Sequence, residues 1–266
     1  CSEVARLGRL DLLHCARISY NMAWNHFTCS KAAEGGHLEV LQWARANCAP
    51  WSNWTCSAAA ERGHLQILQW ARQNGCPWDS FTCSSAAGGG HLDVLQWCRA
   101  NGCAWNHFTC SKAAEGGHIH VLQWALANGC PSNAGTCAEA AEAGHMEVLQ
   151  WCRANGVPWD RYTCSGAACG GHFEILQWAR EHGCAWDEWT CIKACEGGHI
   201  DILQWSRAND CPWDKRACNL AARYGHLNVL KWCVHNGCPW VRTESEDAAI
   251  LGRHFDIVRW IRDTSA

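Results

Sequence analysis

Residues Asp79 to Trp105 read DSFTCSSAAGGGHLDVLQWCRANGCAW. The stretch opens on Asp79, a residue whose side chain can accept a hydrogen bond from the free amides of a first helical turn. Cys83, Ala86 and Ala87 follow at the i, i+3, i+4 spacing of one helix face. The glycines after them suit a helix that ends in a left-handed residue. These features predict a short first helix, which we call helix A.

A second helix, helix B, is predicted from about Leu92 to Asn101. When its residues are projected at about 100° each, apolar and polar side chains separate onto two arcs, with Trp97 on the apolar arc. We therefore expect Trp97 and its counterparts to run through the core. Asn101 and Gly102 end the helix, and Cys-Ala-Trp then leads through a turn to the next capping residue.

The same unit recurs along the chain with a fixed period, which is the mark of a repeat architecture. The dipeptide Gly-His returns at a constant interval of twenty-seven residues, at Gly36, Gly63, Gly90, Gly117, Gly144, Gly171, Gly198 and Gly225. A capping residue opens each full unit, at Asn25, Ser52, Asp79, Asn106, Asn133, Asp160, Asp187 and Asp214.

Two short helices cannot bury their apolar faces alone, so neighbouring units must stack and share one core. Because no stretch shows the alternation of a strand, we predict an all-α fold, an elongated α-solenoid of stacked helix-turn-helix units. We expect a single domain over residues 1–266. It would contain a partial unit at 1–24, eight full units of this constant length at 25–240 and a polar capping unit at 241–266.

The unit T-C-x-x-A-A-x-x-G-H-L-E-V-L-Q-W-A-R-A-N-G-C resembles the ankyrin repeat, T-P-L-H-x-A-A-x-x-G-H-x-x-V-V-x-L-L-L-x-x-G-A, over essentially the whole chain. The match is carried, for example, by Ala59, Ala60, Gly63, His64, Ile67, Leu68, Trp70 and Gly75. The ankyrin repeat has about 33 residues, and the residues missing here are those of its projecting β-hairpin. The resemblance implies a non-catalytic protein-protein interaction scaffold that binds a protein partner on a concave face formed by the A helices.

Charge and hydrophobicity argue against two classes of partner, nucleic acids and membranes. The formal net charge of -3 over 266 residues lacks the basic excess of a nucleic-acid-binding protein. No run approaches the roughly 20 apolar residues of a membrane span. We expect a monomeric, cytoplasmic protein without nucleic-acid or membrane partners. Because the chain begins inside a helix A and not at Met, we expect it to be a fragment or a processed piece, whose N-terminus hides any targeting signal.

The 22 cysteines fall mainly into two columns. We interpret them as reduced, small, buried residues, as free cysteine usually is, because Val157 replaces a member of one column while Cys164 of the other remains. Zinc sites favour close Cys pairs such as C-x-x-C, which are absent here. Cys191 with Cys195, and Cys98 with Cys103, are spacings that arise easily among so many cysteines. A Cys-rich redox-sensing or zinc-binding repeat protein is the alternative function.

We expect no catalytic, cofactor-binding or metal-binding residues and no cofactor, because a catalytic group should be singular and every Cys and His here belongs to a series. The Gly-His histidines are interpreted as turn residues that bind local backbone. One arginine per unit is expected to form a solvated, solubilising stripe, at Arg45, Arg72, Arg99, Arg153, Arg180 and Arg207.

Exposed positions that differ between units are the candidates for partner recognition. They are His26, Lys31, Asn53, Ser80, His107, Lys112, Ser132, Glu139, Arg161, Glu188, Lys193 and Lys215. One unit breaks several rules at once, since Leu126 replaces the arginine, Ser132 replaces the loop Trp, and Gly135 replaces an aromatic residue. The loss of two aromatic side chains predicts a groove or a soft point there.

Overall fold

The computed structural model describes residues 1–19, 23–25 and 27–264. These residues form twenty helices and no strand. The chain divides into two compact units, Cys1–Ser132, called unit 1, and Asn133–Ala266, called unit 2. The word unit without a number continues to mean one repeat, so neighbouring and sister units are repeats. The predicted all-α fold of helix pairs is confirmed, while a single domain over 1–266 stays a prediction.

Unit 1 contains ten helices, in which helix A of each pair has an odd number and helix B an even number. They are α1 Ser2–Arg6, α2 Leu10–Ile18, α3 Phe27–Glu34, α4 Leu38–Ala46, α5 Asn53–Glu61, α6 Leu65–Gln73, α7 Ser80–Gly88, α8 Leu92–Ala100, α9 His107–Glu115 and α10 Ile119–Ala127.

Unit 2 repeats this order. Its helices are α11 Ala134–Glu142, α12 Met146–Ala154, α13 Arg161–Gly170, α14 Phe173–Glu181, α15 Glu188–Gly197, α16 Ile200–Ala208, α17 Lys215–Arg223, α18 Leu227–His235, α19 Arg242–Gly252 and α20 Phe255–Asp263. The last pair was predicted to be a polar cap, yet it also exposes Leu251 and Phe255 to 67% each.

The predicted capping residues begin most A helices. The side chain of Asp79 accepts a hydrogen bond from the amide of Phe81 at 2.9 Å, and the same bond recurs at Asn106, Asn133, Asp160, Asp187 and Asp214. Ser52 differs, because its hydroxyl is buried without a partner and makes no cap bond. There the side chain of Asn53 accepts from the amide of Trp54 instead, at 3.1 Å.

Small and branched residues form the core of each helix pair. Cys83, Ala86 and Ala87 of α7 and Leu95 of α8 are all 0% exposed. Trp97, which the helical projection placed in the core, is only half-buried, and so are its counterparts. Alanines and cysteines bring the helices too close together to admit an indole ring, so the Trp side chains lie at the edge of the core.

Each loop Trp is held between two successive B helices. The ring centroids of Trp78 and Trp97 of the next helix B lie 5.7 Å apart at 64°, an edge-on contact. On its other side, the guanidinium carbon of Arg72 lies 4.2 Å from the Trp78 centroid, and the guanidinium also donates to the carbonyl oxygen of Cys76. The arginine column predicted as a solvated stripe therefore joins neighbouring units through cation–π contacts.

The Gly-His histidines also join neighbouring units. Nε2 of His91 donates to the backbone carbonyl of Glu61 at 3.1 Å, thirty residues earlier. His118 bonds to Gly88 at 3.1 Å in the same way, and equivalent bonds occur in unit 2. The expectation of a bond to local backbone was wrong, because each imidazole lies across the left-handed glycine of the preceding unit.

Substituting Gly90 by alanine tests this contact, with Gly102 as the matched control. Both glycines have φ near +80°, so each alanine has about 1–2 kcal/mol of left-handed strain. A Cβ on Gly90 would also lie 2.7 Å from Cε1 of His118, whereas nothing lies within 4 Å of one on Gly102. We expect G90A to lower the free energy of unfolding by about 1–3 kcal/mol more than G102A, as overpacking does. Urea denaturation measures the difference, and equal losses in the two variants would contradict the contact.

Candidate functional site

A row of exposed aromatic side chains lies on the A helices of unit 1. It consists of Phe27, Trp54, Phe81 and Phe108, which are 50%, 60%, 56% and 48% exposed. We call these four residues the aromatic row. Each precedes the buried Thr-Cys pair of its helix, so it emerges on the side away from the core. The rings of Trp54 and Phe81 are stacked with their centroids 6.5 Å apart.

Unit 2 continues the same position with different chemistry. Tyr162 is 51% exposed, and Arg161 places its guanidinium carbon 5.3 Å from the Tyr162 ring. The half-buried Trp189 is covered by Arg216 at 4.6 Å. Gly135 and Arg216 leave two places without a ring. The uncovered aromatic surface is therefore concentrated in unit 1.

Sequence reasoning missed the aromatic row because it searched for exposed positions that vary. Phe27, Phe81 and Phe108 are the same residue in three units, and sameness was interpreted as packing. The available signal was an aromatic residue immediately before Thr-Cys, a place that the helical period puts on the outer side of helix A. An aromatic side chain there stays about half-exposed.

A depression of about 740 Å³ lies beside the row, within unit 1. Phe81, Ser85 and Gly88 of α7 line one side of it, and Lys112 lines the other. Most other units place a glutamate at the position of Gly88, at Glu34, Glu61, Glu115, Glu142 and Glu196. A Cβ on Gly88 would lie 3.5 Å from Cβ of Lys112, an ordinary contact. Packing therefore does not require glycine here, and the missing side chain opens the depression.

The predicted lysines of the helix-A face form ion pairs along their own helices. Lys31 lies 2.6 Å from Glu34 and Lys193 lies 2.8 Å from Glu196, and Lys112 pairs with Glu115 in the same way. These pairs have the i, i+3 spacing of helix neighbours. They leave the face with alternating charges of both signs.

Other predicted residues connect adjacent A helices. Asn53 donates to the carboxylate of Asp79, the cap of the next A helix, at 2.6 Å. The remaining contacts of this kind are Ser80 with Asn106 at 3.3 Å, Arg161 with Asp187 at 3.3 Å, Glu188 with Arg216 at 3.2 Å and Lys215 with Glu244 at 2.7 Å. The structure thus gives these residues a role in joining neighbouring units, and their part in partner binding stays a prediction.

Three predicted residues have other surroundings, and one cannot be placed. The His107 ring lies 4.3 Å from that of Phe108, so it belongs beside the aromatic row. Ser132 is the half-buried last residue of unit 1, and Glu139 is half-buried on α11. His26 lies outside the described residues. The groove or soft point expected at Ser132 stays a prediction.

The cysteines are free thiols. Cys15 and Cys48 are exposed, Cys1 and Cys169 are half-buried, and the other eighteen are buried. Burial raises the pKa of the Cys29 thiol to about 11, so at neutral pH it is protonated and a poor nucleophile. Cys103 donates to the carbonyl of Asp79 at 3.2 Å, a contact that closes a loop onto a helix cap.

One group of thiols is arranged more tightly than the rest. The sulfur atoms of Cys218, Cys233 and Cys238 lie within 4.8 Å of one another. Among the residues that the structure describes, they are the only group of three potential metal ligands with this proximity. The spacing rules applied to the sequence did not identify them, because the three come from different elements.

In the described part of the chain, every helix is too short or too polar to cross a membrane. No protein-family model matches the chain, and no curated protein sequence matches it. Solved structures do match, and 210 chains are similar. One is the human ASB11 ankyrin repeat domain, which is 17% identical, covers 59% of this chain and 83% of its own length, and has a TM-score of 0.45.

Thiol labelling tests the burial of the cysteines. In native buffer without reductant, we expect Ellman's reagent to react quickly with Cys15 and Cys48, more slowly with Cys1 and Cys169, and hardly at all with the buried thiols. Unfolding in guanidinium should expose all 22 thiols. Cys48 has φ +61° and stands where other units have glycine, so C48G should remove one fast thiol without loss of stability. A total well below 22 after unfolding would show disulfides instead.

Proposed function

We propose that this chain is a non-catalytic scaffold that binds a protein partner on its helix-A face, the face that the ankyrin resemblance makes concave. The ankyrin-like fold supports a role in protein interaction. The observation that carries the proposal is the aromatic row, since four large side chains about half-exposed on adjacent helices leave apolar surface in water. Exposed apolar surface of this kind marks interaction sites.

Aromatic residues are also what protein interfaces use as anchors. They bury a large area with few rotatable bonds, and they dominate the binding energy where they are found at interface centres. Trp54 and Phe81 stack on each other, which holds both rings in place before a partner arrives. Such preorganisation lowers the entropy lost on binding.

The depression beside Phe81 supplies a place for a side chain of the partner. Its walls mix apolar surface with the charged residues Arg62, Lys112 and Glu115. We infer that the partner fills the space above Gly88 with one anchoring residue and covers the aromatic row with an adjoining apolar segment. Charged residues at the rim then set register and specificity more than affinity.

The predicted recognition residues fit the periphery of this surface. Lys31, Asn53, Ser80 and His107 lie on the same A helices as the aromatic row or directly before them, and Lys112 lines the depression. We propose that the matching positions of unit 2, including Arg161, Glu188, Lys193 and Lys215, also take part in recognition. There the arginine-covered rings and ion pairs favour a more polar part of the partner.

Sulfur-based redox sensing is the rival function, and it has weaker support. Redox-sensing cysteines are exposed and have lowered pKa values, whereas eighteen of the thiols here are buried. Buried free thiols instead favour a reducing, intracellular compartment. We propose a monomeric scaffold there, which acts on proteins and not on nucleic acids or membranes.

Substitution at the depression tests the proposal. G88E places in α7 the glutamate of the sister units, so the fold should be kept while the depression is filled. We expect G88E, and separately W54S combined with F81S, to weaken capture of the partner by the immobilised chain at least tenfold. Q96E adds the same charge to the exposed side of α8, the helix B of the same repeat and not part of the helix-A face, and should capture the partner as the wild type does.

The readout is mass spectrometry of captured proteins, followed by titration of the recovered partner against each variant. Circular dichroism confirms that each variant is folded. If the partner binds G88E and the double variant with wild-type affinity, the helix-A face of unit 1 is not the binding surface.

A further inference from the structure

Four buried thiols converge between the last full helix pairs of unit 2. The sulfur atoms of Cys218, Cys233 and Cys238 lie within 4.8 Å of one another, and the sulfur of Cys195 lies 3.7 Å from that of Cys233. We call these four residues the thiol cluster. Three are 0% exposed and Cys238 is 5% exposed.

The thiol cluster joins elements that are distant in sequence. Cys195 lies near the end of α15, Cys218 is in the middle of α17, Cys233 is in α18, and Cys238 follows α18 in the loop. A ligand bound by all four thiols would connect three helices and a loop. A bound ion would crosslink two successive helix pairs.

Comparison with the sister units shows that the arrangement is unusual in this chain. At the position of Cys195, seven other units carry alanine, at Ala33, Ala60, Ala87, Ala114, Ala141, Ala168 and Ala222. Cys83, Cys98 and Cys103 occupy the positions of the other three members in unit 1. In unit 1, Ala60 stands at the position of Cys195, and the sulfur atoms of the three cysteines do not all lie within 4.8 Å of one another. The unit 1 trio is therefore a natural control.

The donor set and the distances suit a thiophilic ion. Four cysteine thiolates form the closed, tetrahedral ligand set of a structural zinc site. With Zn–S bonds of about 2.3 Å, sulfur atoms in such a tetrahedron are about 3.8 Å apart. The separation of 3.7 Å between the sulfur atoms of Cys195 and Cys233 already has this length. The sulfur of Cys195 is not within 4.8 Å of all three of the others, so the Cys195, Cys218 and Cys238 side chains would have to rotate toward a common centre beside Cys233 when the ion binds.

We propose that the thiol cluster is a structural Zn²⁺ site formed by Cys195, Cys218, Cys233 and Cys238. Binding forms four Zn–S bonds, and each protonated thiol that binds loses its S–H proton to solvent, so no atom changes oxidation state. The hydrogen bond from Cys238 to the carbonyl of Asp214, 3.4 Å long, is exchanged for a metal bond. Because metal binds the folded cluster, it stabilises this end of unit 2.

The thiol cluster lies in a buried environment away from water. Unpaired thiolates would be costly in this environment, and the ion is what makes them stable. The thiol cluster is separate from the helix-A face of unit 1, so a failure of the zinc proposal and a failure of the partner-binding proposal can be distinguished.

Metal analysis of alanine variants tests the site. The full chain is reduced, incubated with excess Zn²⁺, passed over a desalting column and analysed for metal and protein. We expect one Zn²⁺ per wild-type chain. C233A, which introduces the residue that Ala179 provides in a sister unit, should retain less than a tenth of that. C98A removes the equivalent thiol of the unit 1 trio and should still retain one Zn²⁺.

Two further measurements separate a zinc site from simple packing. Co²⁺ in place of Zn²⁺ should give the charge-transfer absorption and the visible bands of a tetrahedral thiolate site, and C195A should weaken Co²⁺ binding at least tenfold. Circular dichroism confirms that both variants are folded. A wild-type chain that retains no Zn²⁺, or a C98A variant that loses Zn²⁺ as C233A does, would overturn the proposal. So would a C195A variant that binds Co²⁺ as tightly as the wild type.

Discussion

Close approach between successive A helices is the constraint on which the rest of each unit depends. Nε2 of His118 reaches the backbone carbonyl of Gly88, one unit earlier, and the ring lies where a Cβ on Gly90 would stand. The bond is possible only if the preceding unit ends helix A with a left-handed residue that has no side chain. Glycine satisfies both conditions, which explains why the Gly-His pair recurs at every step.

The same closeness determines which side chains enter the core. The paired alanines and the cysteine of helix A are small enough for neighbouring helices to touch, and Leu and Val of helix B fill the remaining space. An indole ring is too large for this interior. The tryptophans therefore pack edge-on against each other between successive B helices, where an arginine covers the loop Trp and also binds the loop backbone. The abundance of Trp thus reflects contacts between units at the edge of the core.

Much of this fold was predictable from sequence because the constant period of the repeat averages away local ambiguity. Helix B was expected from about Leu92 to Asn101 and is observed over Leu92–Ala100, and the cap at Asp79 was identified correctly. The errors concern contacts between units. A helical projection describes one helix alone, so it could not place Trp97 at the edge of the core, nor show that His91 binds the backbone of Glu61 and not its own turn. The caps follow from local chemistry, and the inter-unit bonds do not.

The aromatic row and the thiol cluster were not identified from the sequence, for two opposite reasons. Partner recognition was sought where units differ, but Phe27, Phe81 and Phe108 are the same and are nevertheless exposed. In a repeat array, constancy can mean packing or a binding feature copied along the surface, and only the exposure of the side chain distinguishes the two. The thiol cluster shows the reverse case. Each of its members is an ordinary small core residue when taken alone, and an alanine serves equally well at three of the four positions elsewhere in the chain. A ligand set arises only because all four thiols lie near Cys233 in space, and these residues are as far apart in the sequence as Cys195 and Cys238.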